Sequence, residues 1–248
     1  MVRARALGGI PEVRAGDDLG ALIAQAAPGQ LRDGAAVVVA HKIISKAEGA
    51  VVSLTGVAPS ARARELAAQA DKDPRAVQVV LNEAAEVLRA ERGVIVCRTR
   101  HGFVCANAGV DASNVEAPDT VVVLPRDPDA SARALRARVR ELTGASVAVL
   151  ITDSFGRAWR HGQLDVAIGL AGMRALDDWR GRSDSAGMAL RATWLAVADA
   201  AAACAELARA KDSREPVVIV EGLERYVTAQ DGPGAAELLR PLGEDLFR

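Results

Sequence analysis

The chain has 248 residues, half of them apolar and a quarter charged, with a formal net charge of -1. That balance predicts a soluble globular protein with a sizeable core and argues against nucleic-acid binding, since it lacks a basic surplus and, at 3% aromatic residues, has little to stack on bases. No uncharged run approaches the roughly 20 residues of a membrane helix, residues 1–7 lack a signal peptide's apolar core, and three cysteines without a CxxC pair fit a reduced cytoplasm.

Residues 2–7 predict a short strand, and Gly8-Gly9-Ile10-Pro11 a tight loop, because two glycines allow backbone angles that other residues avoid. Asp17 or Asp18 is placed to cap a helix over 19–27. The apolar run 35–40 predicts a buried strand. A helix over 60–72 is expected, with Ser60 as its cap, and a second one from Pro74 to Arg89 on the stripe Val77, Val80, Leu81, Ala84, Val87 and Leu88. Further strands are expected at 94–97, 121–124, 147–151, 165–169 and 216–220. A basic helix should run from about 131 to 143. A long helix over 190–211 reads as apolar nearly all round, so it needs cover on most sides and points to a dimer. Strands and helices alternate irregularly, which predicts an α+β (mixed α/β) fold of mixed sheets with packed helices.

Three stretches carry chemistry. After the 35–40 strand come His41 and Lys42, then Lys46; two lysines four apart at a strand end are placed to reach phosphate, or are simply solvated. In the second stretch, 101–114, small residues let backbone approach a ligand, and Asp111 and Asn114 offer oxygens three apart, for a cation or for an Asx turn. The third follows the 147–151 strand, with Thr152, Asp153, Ser154, Phe155, Gly156 and Arg157. An acid and a hydroxyl at a strand's carboxyl edge suit a hard cation such as Mg2+ or Mn2+, and Arg157 supplies a planar fork for phosphate or carboxylate. There is neither a Gly-Lys dipeptide nor a GxGxxG run, so a Walker A loop and an ordinary dinucleotide site are excluded.

Together, His41-Lys42 with Ser45 to Gly49, His101 to Asp111 with Ser113-Asn114, and Thr152 to Arg157 resemble the coenzyme F420-0:L-glutamate ligase family (gamma-glutamyl ligases of the deazaflavin coenzyme). The resemblance runs from about residue 7 to the C-terminus. It implies GTP-dependent amide formation with L-glutamate, Mg2+ or Mn2+, a monovalent cation such as K+, and a homodimer of mixed two-lobed subunits. The extra C-terminal nitroreductase-like domain of some members is not expected here. Carried over residue by residue, it implies Asp111, Asp153 and Ser154 as metal ligands, with Asp111, Asp153 and Arg157 as the catalytic set. It implies Gly8, Gly9, Ile10, Pro11, Lys46 and Asn114 as nucleotide contacts, with His41 and Lys42 beside them. Ala158 stands where members often carry proline, Leu164 where threonine is common, and near Lys211 many carry glutamine. The alternatives are a metal-dependent phosphohydrolase and a non-enzymatic anion-binding dimer.

Overall fold

A five-stranded mixed sheet organises the chain, in the spatial order β1 (Arg3–Ala6), β12 (Val217–Glu221), β2 (Ala36–Ala40), β8 (Ala148–Arg157) and β9 (Arg160–Ala171). The structure is a computed structural model and describes residues 1–113 and 117–245. β2 and β8 run parallel, with Ala40 opposite Thr152, and the other neighbours are antiparallel. β2 and β8 as far as Ile151 are apolar throughout because both sheet faces are covered.

One face carries Val37, Val39, Val149 and Ile151, packed under α1 (Leu19–Ala26) and α5 (Pro128–Thr143). The other carries Val38, Leu150, Val218 and Val220 under α6 (Val197–Glu206). α2 (His41–Ala47) begins on the residue after β2. A separate pair of apolar clusters gathers α3 (Ala61–Ala70) and α4 (Pro74–Glu83) with the sheet of β4 (Ala84–Glu91), β5 (Val94–Thr99) and β6 (Val104–Ala106), and with the pair β3 (Val51–Ser53) and β7 (Thr120–Val122). β10 (Leu176–Asp178) pairs with β11 (Trp194–Ala196) in a small arm. The class is α+β with mixed sheets, as the alternation of elements predicts.

Several helix starts follow the local chemistry. Asp18, Ser60 and Asp73 each accept the first-turn N–H that a cap should satisfy, and Pro74 takes the first turn of α4, where its missing N–H costs nothing.

Three expectations are corrected. The helix from Pro74 stops at Glu83, and residues 84–91 form β4, paired with β5 across a turn in which Arg92 and Gly93 both have positive φ (53° and 78°). Two consecutive left-handed residues are the signature of a tight hairpin turn, and pairing across it outweighs the helical stripe. The 190–211 helix shrinks to Val197–Glu206, because Trp194–Ala196 pairs with β10. Its buried residues, Val197, Ala198, Ala201, Ala202 and Ala205, form one face against the sheet of the same chain. An alanine-rich sequence looks apolar all round while burying one stripe, so this helix gives no argument for a dimer. Finally, the strands expected over 147–151 and 165–169 are longer: β8 continues through Arg157 and returns as β9 from Arg160.

Candidate active site

The parallel pair β2 and β8 ends at one edge of the sheet, where open sheets of this kind bind ligands. The Ala40–Thr152 register sets His41 and Asp153 side by side there. His41 is buried, and its Nε2 lies 3.3 Å from Asp153 Oδ1 without hydrogen-bond geometry, which leaves a buried polar atom unsatisfied. Its Nδ1 is 3.4 Å from Ser45 Oγ, one turn along α2.

Lys42, the next residue, brings in Asp111. Its ammonium lies 2.7 Å from Asp111 Oδ2 and donates to Ser113 Oγ at 2.5 Å. Asp111 is fixed by paired backbone hydrogen bonds to Val122, and it accepts the Ser113 N–H at 2.7 Å and the Ser113 hydroxyl at 3.0 Å. Burial works against the charge on this carboxylate, but Lys42 and Ser113 outweigh it and hold the pKa below the usual value. Just upstream, Asn107, Ala108 and Gly109 are all left-handed, with φ of 53°, 52° and 73°. A Cβ on Gly109 would stand 2.6 Å from Leu124 Cγ. The small residues of this stretch therefore serve a strained turn that aims Asp111 at the sheet edge.

Lys46, one turn after Lys42, ion-pairs with Glu12 and so ties α2 to the Gly8–Pro11 loop. Gly9 takes φ of 84° in that loop. With α1, the loop borders an open groove of about 620 Å³ lined by Gly8, Gly9, Pro11, Leu22, Gln25 and Gln30.

Ser154 stands apart from this group. Side chains alternate along a strand, so Asp153 faces the α2 side and Ser154 the α6 side. Its hydroxyl donates to Asp165 Oδ1 at 2.6 Å and accepts from Lys211 Nζ at 2.8 Å. Asp165, almost fully buried, also accepts from Arg209 at 2.6 Å. Burial opposes its charge, and the Ser154 hydroxyl, Arg209 and Lys211 together bring the pKa below the usual value.

Arg157 is exposed near the turn of the β8–β9 hairpin, where its guanidinium bonds the carbonyls of His161 and Gly162. Asn114 lies outside the described residues. The structure thus pairs His41 with Asp153 and Lys42 with Asp111 from successive residues of α2, links Lys46 to the N-terminal loop, and sends Ser154 and Arg157 elsewhere. Sequence reasoning missed Glu12, Asp165, Glu206 and Arg209. The one available signal was an acid, Asp165, opening an apolar strand.

A profile of the F420-0:gamma-glutamyl ligase family matches residues 9–222, which takes in all of these site residues except Gly8. The chain belongs to this family. It is 46% identical over 239 residues to the coenzyme F420:L-glutamate ligase of Methanopyrus kandleri, covering 96% of this chain and 94% of that protein. It is 43% identical over 244 residues to the enzyme of the same name from Methanothermobacter thermautotrophicus, covering 97% and 96%. The corresponding protein of Haloarcula marismortui is 40% identical over 250 residues, covering 98% and 94%.

The donor set at the edge suits a hard divalent ion. Asp111 and Asp153 supply carboxylate oxygens, and among the described residues no group of three or more His, Cys, Asp or Glu side chains could hold a metal ion by itself. Two carboxylates and an otherwise open shell is how Mg2+ is usually held beside a phosphate, the remaining places going to water and substrate oxygens. Among the described residues, no helix is long and apolar enough to cross a membrane.

Proposed function

We propose that this protein is a GTP-dependent ligase that adds L-glutamate to the deazaflavin coenzyme F420-0 through an acyl phosphate. The observation that carries the reading is the carboxylate edge, with Asp111 ion-paired to Lys42 and Asp153 3.3 Å from the buried His41, in a chain of this family. Names of relatives 40–46% identical along nearly their whole length support the substrates.

A carboxylate is a poor electrophile, so the coenzyme's terminal carboxylate first takes the γ-phosphoryl group of GTP. The glutamate amine then attacks the acyl carbon, the C–N bond forms, the C–O bond to phosphate breaks and the amine proton leaves to solvent, giving an amide between the coenzyme's carboxyl carbon and the glutamate nitrogen, with GDP and phosphate. Asp111 and Asp153 would hold Mg2+ or Mn2+, which when bound neutralises charge on the transferring group. Lys42 and Lys46 are positioned to move from their carboxylate partners onto phosphate oxygens. The groove beside Gly8 to Pro11 is the place for the nucleoside, and no side-chain nucleophile is needed. Three unpaired cysteines suit a reduced cytoplasm.

The test is direct. Purified protein with Mg2+ or Mn2+, GTP, L-glutamate and the glutamate-free coenzyme should yield GDP and, by mass spectrometry, a product heavier by one glutamyl residue. GDP release without that product would favour a phosphohydrolase, and no nucleotide turnover would favour an anion-binding protein.

The homodimer belongs to the same reading. The family resemblance motivates it, and Trp159, Met188, Trp194 and Leu207, exposed at 82%, 70%, 50% and 90%, are large apolar side chains that a partner subunit would cover. Light scattering should return twice the chain mass at micromolar concentrations. A stable monomer there would remove the dimer and leave the chemistry untouched.

A further inference from the structure

The α6 face of the sheet edge holds a second set of oxygens, and a cation already sits among them. Lys211 lies in the coil after α6, and its ammonium is 2.8 Å from Ser154 Oγ, 2.8 Å from Glu206 Oε1 and 3.6 Å from Asp165 Oδ1. Glu206 is oriented from its other oxygen, which accepts the Asp165 N–H at 2.9 Å. Arg209 cannot take over this place, because it is committed to Asp165 Oδ2, Thr152 Oγ1 and the Pro216 carbonyl. Two acids, Asp165 and Glu206, face two bases, Arg209 and Lys211. The charges balance only while Lys211 is present.

We propose that Lys211 is a built-in monovalent cation, a positioning residue that fixes the Ser154 hydroxyl and fills the place an outside cation would otherwise take among Ser154, Glu206 and Asp165. The two faces of one strand then divide the work. Asp153 and Asp111 would hold the divalent ion of the proposed reaction, while Ser154 on the opposite face is served by a tethered charge. The Ser154 hydroxyl donates to Asp165 and accepts from Lys211, so its direction is set from both sides. The Lys211 side chain is 67% exposed, which leaves the place open to solvent once the ammonium is gone and means that no core packing is lost with it. Ammonium and K+ are close in size, so either should fit where the lysine head was.

The test uses Lys211→Ala, with Lys211→Gln as a second neutral variant, beside the unaltered protein. Each is assayed in buffer whose only monovalent cation is tetramethylammonium, too bulky to enter, and NH4+ or K+ is then titrated in at constant ionic strength. Both variants should lose about tenfold to a hundredfold in turnover, the size of one charged hydrogen bond. They should regain it saturably with NH4+ or K+, and their melting temperature should rise with the same midpoint. The unaltered protein should lack this response. Variants that respond to these ions no more than the parent does, or that turn over normally in tetramethylammonium, overturn the proposal. The turnover readout rests on the proposed ligase reaction and the melting titration does not, so failure of one is distinguishable from failure of the other.

Discussion

Replacing Asp153 with asparagine should lower turnover by about a thousandfold or more, since the charge of a bound metal is worth several kcal/mol to phosphoryl transfer. The fold should survive, because the change keeps the side chain's volume and removes only charge at a partly exposed edge. His41 then faces a neutral amide in place of a carboxylate at 3.3 Å, which disturbs one contact and no core cluster. Asp111→Asn should act in the same direction through its own carboxylate. It also loosens Lys42, which now has its partner at 2.7 Å. Circular dichroism, a melting curve and turnover at limiting Mg2+ belong in one experiment. Near-normal turnover in both variants at low metal would remove the assignment of these carboxylates to a metal, whatever the melting curves do.

How much of this was legible in the sequence depended on how local the cause was. Caps at Asp18 and Ser60 were readable because the hydrogen bond lies within three residues of the side chain. The parallel core strands were readable because burial on both faces writes an unbroken apolar run. Failures came where pairing across the sheet decided the matter. Residues 84–91 carry an acceptable helical stripe, and only the partner strand β5 makes them extended. Trp194–Ala196 is drawn out of a helical pattern by β10 in the same way.

The site divides along the same line. Asp111, Asp153 and Lys42 were read from residue type, and His41 from the family resemblance. The register of Ala40 against Thr152, which no local pattern contains, is what sets His41 beside Asp153. Ser154 was grouped with Asp153 because the two are neighbours in sequence, and strand alternation is the reason they face apart. Glu12, Glu206 and Arg209 carried no motif, since each matters only through a partner distant in sequence.

Asp165 offers the sharper test of what holds that edge together. Its side chain is 2% exposed and that of Arg209 11%, at 2.6 Å. Asp165→Asn leaves the guanidinium buried without a counter-charge, and removing one member of such a pair costs about 3–5 kcal/mol. For a chain of this size that is roughly 10 °C in melting temperature. Arg209→Met alone should cost a similar amount, and joining it to Asp165→Leu should recover most of the loss, because an apolar pair can replace an ionic one without leaving a stranded charge. The pH dependence has a definite sign. The Asp165 carboxyl titrates below its ordinary 3.8 in the folded protein, so its stabilisation is fully present above that value and disappears as the pH falls through the folded one. The gap between parent and Asp165→Asn should therefore be widest near neutrality and close in acid. A variant that melts with the parent at neutral pH would mean that Arg209 finds water or another acid at no cost, and the buried pair would then hold nothing in place.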